Sequence, residues 1–165
     1  RSLFLPASAV VPLLPAAQKG AVNVSEVVLQ SGSLAARLRV KVESGSSISN
    51  RADEAQVEQV LINLLHNAAD ASLETNGDVG IGWKEVGECV EIFVRDQGPG
   101  IPEDRLRAIF EPNVRLQTGE RNGPSGSGLG VFIAKGIIEA HGGQIWAESP
   151  GPVEGASFTI ILPLR

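Results

Sequence analysis

Two asparagines four residues apart, Asn63 and Asn67, interrupt a stretch that otherwise reads as a buried helix, QVLINLLHNAADAS (59–72). Asn is a poor helix-interior residue because its short amide competes for backbone hydrogen bonds. Its carbonyl oxygen, however, is a neutral ligand for a hard cation such as Mg2+, and its NH2 group can donate to phosphate oxygens. A carboxylate there would bind the metal but repel the phosphates. On a helical wheel Gln56, Asn63, Asn67, Asp70 and Glu74 form a polar stripe beside the apolar face of Val57, Val60, Leu61, Leu64, Leu65 and Ala68. Such an edge borders both core and solvent, which suits the wall of a pocket. The pattern equally fits a helix with two solvated amides. His66 points nearly opposite the apolar face and reads as surface.

Two glycine-rich turns follow. In DQGPGIP (96–102) Asp96 ends a strand, and Gly98 and Gly100 allow the backbone to turn closely around a ligand. A carboxylate so placed can accept a hydrogen bond from an exocyclic amine; an ordinary Asx turn with Pro99 gives the same string. SGSGLG (125–130) runs into the start of a helix, whose free N–H groups make an anion cradle. No Gly-Lys-Ser/Thr follows, so it is not a Walker A loop, and it follows a loop rather than a strand, unlike the dinucleotide fingerprint. Between the two turns lies EPNVRLQTGERNGPSG, carrying Arg115 and Arg121. Its length fits either a lid over a ligand or an irregular surface loop.

The elements that must hold these groups are legible in outline. The 165 residues suffice for one domain, 42% hydrophobic, and a net charge of −5 argues against nonspecific nucleic-acid or anionic-membrane binding. The single Cys, Cys89, excludes an internal disulfide and sits among apolar strand residues. There is no Met, so a lead-in over residues 1–21 from a missing upstream region is expected. Its apolar opening is broken by Pro6, Pro12 and Pro15 and is too short to cross a membrane. Residues 1–20 read as irregular, 23–38 as a short helix, 38–44 as a strand, and 53–74 as a long helix. VGIGWKEV (79–86) and CVEIFVRD (89–96) read as a hairpin around Gly87-Glu88, followed by a short helix at 103–110. A helix at 129–141, stopped by Gly142-Gly143, and strands at 144–148 and 156–162 complete the chain. The mixture predicts an α/β sandwich, one mixed sheet with helices on one face.

Taken in order, these segments resemble the catalytic and ATP-binding domain of sensor histidine kinases, within the GHKL superfamily. QVLINLLHNAADA looks like the N box, DQGPG the G1 box, IFEP (109–112) the F box, GSGLGVFIAKGIIEAHGGQIWAES the G2 box with its helix and strand, and GASF (155–158) the G3 region. The resemblance covers residues 22–165 and implies the Bergerat fold, a two-layer α+β sandwich with a mixed sheet against about three helices. It implies ATP and Mg2+ as cofactors, with Asn67 on the metal and Asn63 on phosphate or a metal-bound water. Asp96 would take the adenine amino group, with Gly98, Gly100 and Ile101 lining the base pocket. Gly126, Ser127, Gly128, Leu129 and Gly130 would frame the phosphates and the lid hinge. Phe110 would anchor the lid, Arg115 or Arg121 would approach the γ-phosphate, and Ser157 belongs to the G3 contact.

Three departures stand out. The F box usually has a second aromatic where Asn113 sits, and the position of Asp70 is often basic. Neither His66 nor His141 lies in a phosphoacceptor motif, so the acceptor is expected on an upstream dimerisation region of the same protein. A response-regulator receiver domain is the expected second partner, in the cytoplasm, with no nucleic acid and no direct membrane contact. Gyrase-, Hsp90- and MutL-type relatives carry a Glu general base where this chain has Asn63, which cannot take a proton from water. An ATP-binding regulatory module of the anti-sigma type is the other reading; the kinase reading is preferred.

Overall fold

The computed structural model describes residues 3–4, 40–44, 53–73, 75–114, 128–151 and 153–163. The helix expected over 23–38 lies outside them, as do Arg115, Arg121, Gly126 and Ser127.

The long helix α1 spans Glu54–Leu73. Asp53 starts it: its carbonyl accepts from Val57 N–H at 3.0 Å and its side chain from Gln56 N–H at 3.3 Å. Twenty residues at about 1.5 Å each make a rod of roughly 30 Å. The predicted stripe is the buried one. Val57, Val60, Leu61, Leu64 and Ala68 are fully enclosed, and His66 is exposed.

The sheet begins at its edge with β1 (Leu3–Phe4), paired antiparallel with β2 (Val40–Ser44), and β2 runs parallel to β3 (Val79–Val86). β1 departs from the irregular lead-in read in the sequence. An edge strand presents unpaired backbone groups that any extended segment can satisfy, whatever its own pattern. β3 and β4 (Cys89–Arg95) form the expected hairpin, and β6 (Ser157–Pro163) lies between β4 and β5 (Gln144–Glu148), giving the order β1-β2-β3-β4-β6-β5. Alternation builds two faces. Val90, Ile92 and Val94 stand opposite Leu162, Ile160 and Phe158 and face the helices as core. On the other face the Phe93 ring lies across Gly82, with the Arg95 guanidinium 4.4 Å from its centroid.

Helix α2 (Gly130–Ala140) packs on α1 and buries Ala134 and Ile138. It ends in a Schellman motif, Gly143 N–H to Ile138 O at 2.9 Å and Gly142 N–H to Glu139 O at 3.0 Å, as the Gly-Gly signal predicts. The His141 ring ties this end to the start of α1, accepting from Asp53 N–H through Nε2 at 3.2 Å with Nδ1 2.8 Å from Ile137 O.

The helix expected at 103–110 is instead two 3-10 turns, Glu103–Arg105 and Ala108–Phe110. So short a segment is governed by tertiary contacts rather than by propensity. The tighter turns bring both Ile109 and Phe110 into the core, where Phe110 meets Phe158 edge-on at 6.3 Å. Asn113, the departure from the F-box pattern, adopts φ 63 and is exposed. That left-handed backbone suits Asn far better than an aromatic. The result is a two-layer α/β sandwich with a mixed sheet, with α1 and α2 covering one face among the described residues.

Candidate nucleotide site

Asp96 stands where β4 leaves the sheet and is 8% exposed. Its Oδ1 accepts from Gly98 N–H at 2.9 Å and from Ala156 N–H at 3.1 Å. Among the described residues no hydrogen bond reaches Oδ2, so one carboxylate oxygen orients the group and the other remains to accept from a ligand. Burial raises the Asp96 pKa above the ordinary carboxylate value, and the two N–H groups pull it partly back.

The loop after Asp96 is pressed between α1 and the turn joining β5 to β6. A Cβ on Gly98 would lie 2.8 Å from the carbonyl oxygen of Ala71, so only glycine lets the loop lie against the last turns of α1. Asn67 is one helical turn before Ala71, which places the predicted metal ligand and the base loop side by side. From the other flank Val153 N–H donates to Pro99 O at 2.8 Å, and Gly155 N–H to Gly98 O at 3.1 Å. Gly155 passes so close to the Asp96 carbonyl that no Cβ fits there.

At the opposite end of the site, Asn63 accepts from Gln59 Nε2 at 2.9 Å and donates through Nδ2 to Gly130 O at 3.2 Å. It therefore joins α1 to the glycine that opens α2. Gly128 is left-handed at φ 71, and Leu129, at the head of α2, offers no side-chain cap to the first N–H groups. Among the described residues the Asn67 amide makes no side-chain hydrogen bond, and it is exposed.

The fold thus joins Asn63 to Gly130, next to Gly128 and Leu129, and sets the loop of Asp96, Gly98 and Gly100 against the end of α1, the helix that also carries Asn67. Ile101 and Phe110 belong to the core. Ser157 is set apart. It pairs with Arg95 and Glu148 and alternates with core-facing Phe158, so it stands on the outer sheet face. The contribution of its segment is instead the backbone of Gly155 and Ala156. Sequence reasoning missed Ser72, Thr75, Gln97 and Ser149, which tie the base loop to its neighbours. Thr75 Oγ1 donates to Gln97 O at 2.6 Å, and the Gln97 side chain accepts from Asp78 N–H at 2.9 Å. No spacing rule links Ser149 to a loop 48 residues earlier.

Comparison with known proteins shows the family of the chain. Residues 52–165 match the family model described as histidine kinase-, DNA gyrase B-, and HSP90-like ATPase. The adaptive-response sensory kinase SasA of Synechococcus sp. (strain CC9902) is 40% identical over 115 residues, covering 68% of this chain and 29% of the relative. The chain thus spans less than a third of the curated relatives it matches. The structure is similar to that of the mycobacterial sensor histidine kinase MprB, with a TM-score of 0.75, 29% identity, and 88% and 98% of the two chains covered. It is also similar to full-length ShkA in complex with AMPPNP, with a TM-score of 0.70, 25% identity, and 91% and 32% covered. The chain belongs to the histidine kinase-, DNA gyrase B- and HSP90-like ATPase family, as an ATP-binding domain of the sensor histidine kinase type.

Proposed function

We propose that this domain binds Mg-ATP and presents its γ-phosphate to a histidine on a dimerisation region of the same protein. The observation that carries the reading is Asp96. Its Oδ1 is held by two backbone N–H groups and its Oδ2 is left for the adenine amine, beside a helix bearing Asn63 and Asn67. The Asn67 amide fits a hard cation, being exposed, neutral and without a side-chain partner among the described residues. When bound, Mg2+ would neutralise charge on the phosphate oxygens. The N–H groups of the first turn of α2, which has no side-chain cap, would donate to the same phosphates. Arg115 and Arg121, outside the described residues, are the proposed cations at the γ-phosphate.

Asn63 argues against rapid hydrolysis. It is neutral, and both ends of its amide are engaged by Gln59 and Gly130, so it cannot act as general base toward water. Transfer to a protein nucleophile is favoured instead. An imidazole nitrogen attacks the γ-phosphorus, the bond to the β–γ bridging oxygen breaks, and ADP leaves. The phosphoryl group then moves to an Asp of a response-regulator receiver domain. A cytoplasmic setting is part of the proposal, and no described helix is long and apolar enough to cross a membrane.

The test is calorimetric titration of the chain with a nonhydrolysable ATP analogue, with and without Mg2+, and with a GTP analogue as control. Adenine-selective binding that tightens with Mg2+ is expected. Absence of binding would remove the kinase reading.

A further inference from the structure

We infer that two buried or half-buried serines, Ser72 and Ser149, are positioning residues that hold the base-binding loop in its receptive shape before nucleotide arrives. The inference rests on the nucleotide reading of Asp96. The loop of residues 97–101 has a backbone N–H at each end that a serine hydroxyl receives. Gln97 N–H donates to Ser72 Oγ at 3.2 Å, and Ile101 N–H donates to Ser149 Oγ at 3.0 Å. Each hydroxyl in turn donates a hydrogen bond to a carbonyl of the neighbouring segment. Ser149 donates to Gly155 O at 2.7 Å, and Ser72 more weakly to Asp78 O at 3.5 Å.

A hydroxyl is well suited to this task because it accepts and donates at once and is short enough to be enclosed. Ser72 is fully buried near the end of α1, on the helix that carries Asn67. Ser149 follows β5, at the start of the turn whose Gly155 and Ala156 position Asp96. The fit around Ser149 is close: a Cβ on left-handed Gly100 would lie 2.9 Å from Ser149 Oγ. The hydrogen bonds of both serine side chains go to backbone groups and none to the Asp96 carboxylate, so they act through the loop backbone. Adenine selectivity is therefore set partly by residues from two elements far apart in sequence.

Three versions of the 165-residue chain decide the matter: the unchanged chain, Ser149→Ala and Ser149→Thr. Each is titrated with a nonhydrolysable ATP analogue and with the matching inosine nucleotide, which has an oxo group in place of the adenine amine. Ser149→Ala removes both hydrogen bonds of the hydroxyl; loss of the one that holds the loop should weaken ATP binding about fivefold, and the preference for adenine should fall by a similar factor. Ser149→Thr, which keeps the hydroxyl, should retain more of that preference than Ser149→Ala. A purely structural role would lower the melting temperature and leave the ratio of the two affinities unchanged. An unaltered ratio in Ser149→Ala, or equal losses in both variants, overturns the assignment while leaving the nucleotide site standing. Failure of the unchanged chain to bind either nucleotide overturns both. Amide exchange on the unchanged chain gives a reading free of any substitution. The Gln97 and Ile101 amides should exchange slowly without nucleotide, and fast exchange at both would sink the proposal.

Discussion

The two ends of the proposed nucleotide site are built differently. At the base end, most backbone polar groups of the loop are already engaged. Asp96 Oδ1 takes two N–H groups, and the N–H or carbonyl groups of Gln97, Gly98, Pro99 and Ile101 bond to segments on either side. The proposed phosphate end is more open. The Asn67 amide is exposed, α2 starts without a side-chain cap, and Asn63 bonds across to Gly130. On the proposed reading, the difference separates base selection from phosphate chemistry. Discriminating a base needs donors and acceptors fixed beforehand, because a mobile loop would spend binding free energy on ordering itself. Gripping a triphosphate and releasing ADP needs groups that engage only when the charged ligand arrives.

The largest effect should come from the preorganised end. In Asp96→Asn the amide oxygen can still accept from Gly98 and Ala156, but its NH2 then meets the adenine amine as donor against donor. Affinity for the ATP analogue should fall roughly 10- to 100-fold, the worth of a hydrogen bond to a charged group, with little change in melting temperature. Equal affinity in calorimetry would show that the base lies elsewhere.

At the other end, Asn67→Asp should leave the fold intact, because the position is exposed. A second negative group near the phosphates should weaken Mg-ATP binding by about tenfold or more. Normal affinity and a normal response to Mg2+ would remove Asn67 from the metal.

Acidity probes Asp96. Burial raises the Asp96 pKa, so binding that needs its carboxylate should decline on acidification at a higher pH than for an exposed acid. Stability has the opposite sign. Between the ordinary and the raised value the native state holds a proton that the unfolded chain has released, so stability falls as pH rises through that window. Asp96→Asn should flatten both slopes in titrations and melts run from acid to neutral pH.

The smallest effect concerns what the rigid end costs in strain. Val153 is β-branched, 79% exposed, and held at φ 61, with its N–H on Pro99 O. Glycine relieves a left-handed backbone and keeps that N–H, so Val153→Gly should stabilise the chain by about 1 kcal/mol in thermal unfolding. A lower melting temperature would show that the valine side chain contributes more than its backbone costs.

How much of this was legible beforehand follows from the range of each interaction. Local periodicity located α1, α2 and the β3–β4 hairpin, since burial of one face repeats along the segment itself. Residue chemistry marked Asn63, Asn67 and Asp96 only as candidates beside solvated amides and an ordinary turn, and the order of the motifs along the chain, through its resemblance to a family, chose between them. The tertiary structure alone decided the rest. It set β1 on the sheet edge, split residues 103–110 into two tight turns, and turned Ser157 to the outer face through strand register. It also joined Ser149 to Ile101 across 48 residues. Hydrogen bonds between distant segments leave no period or spacing in the chain, because what selects them is the unpaired N–H or carbonyl that the fold brings opposite.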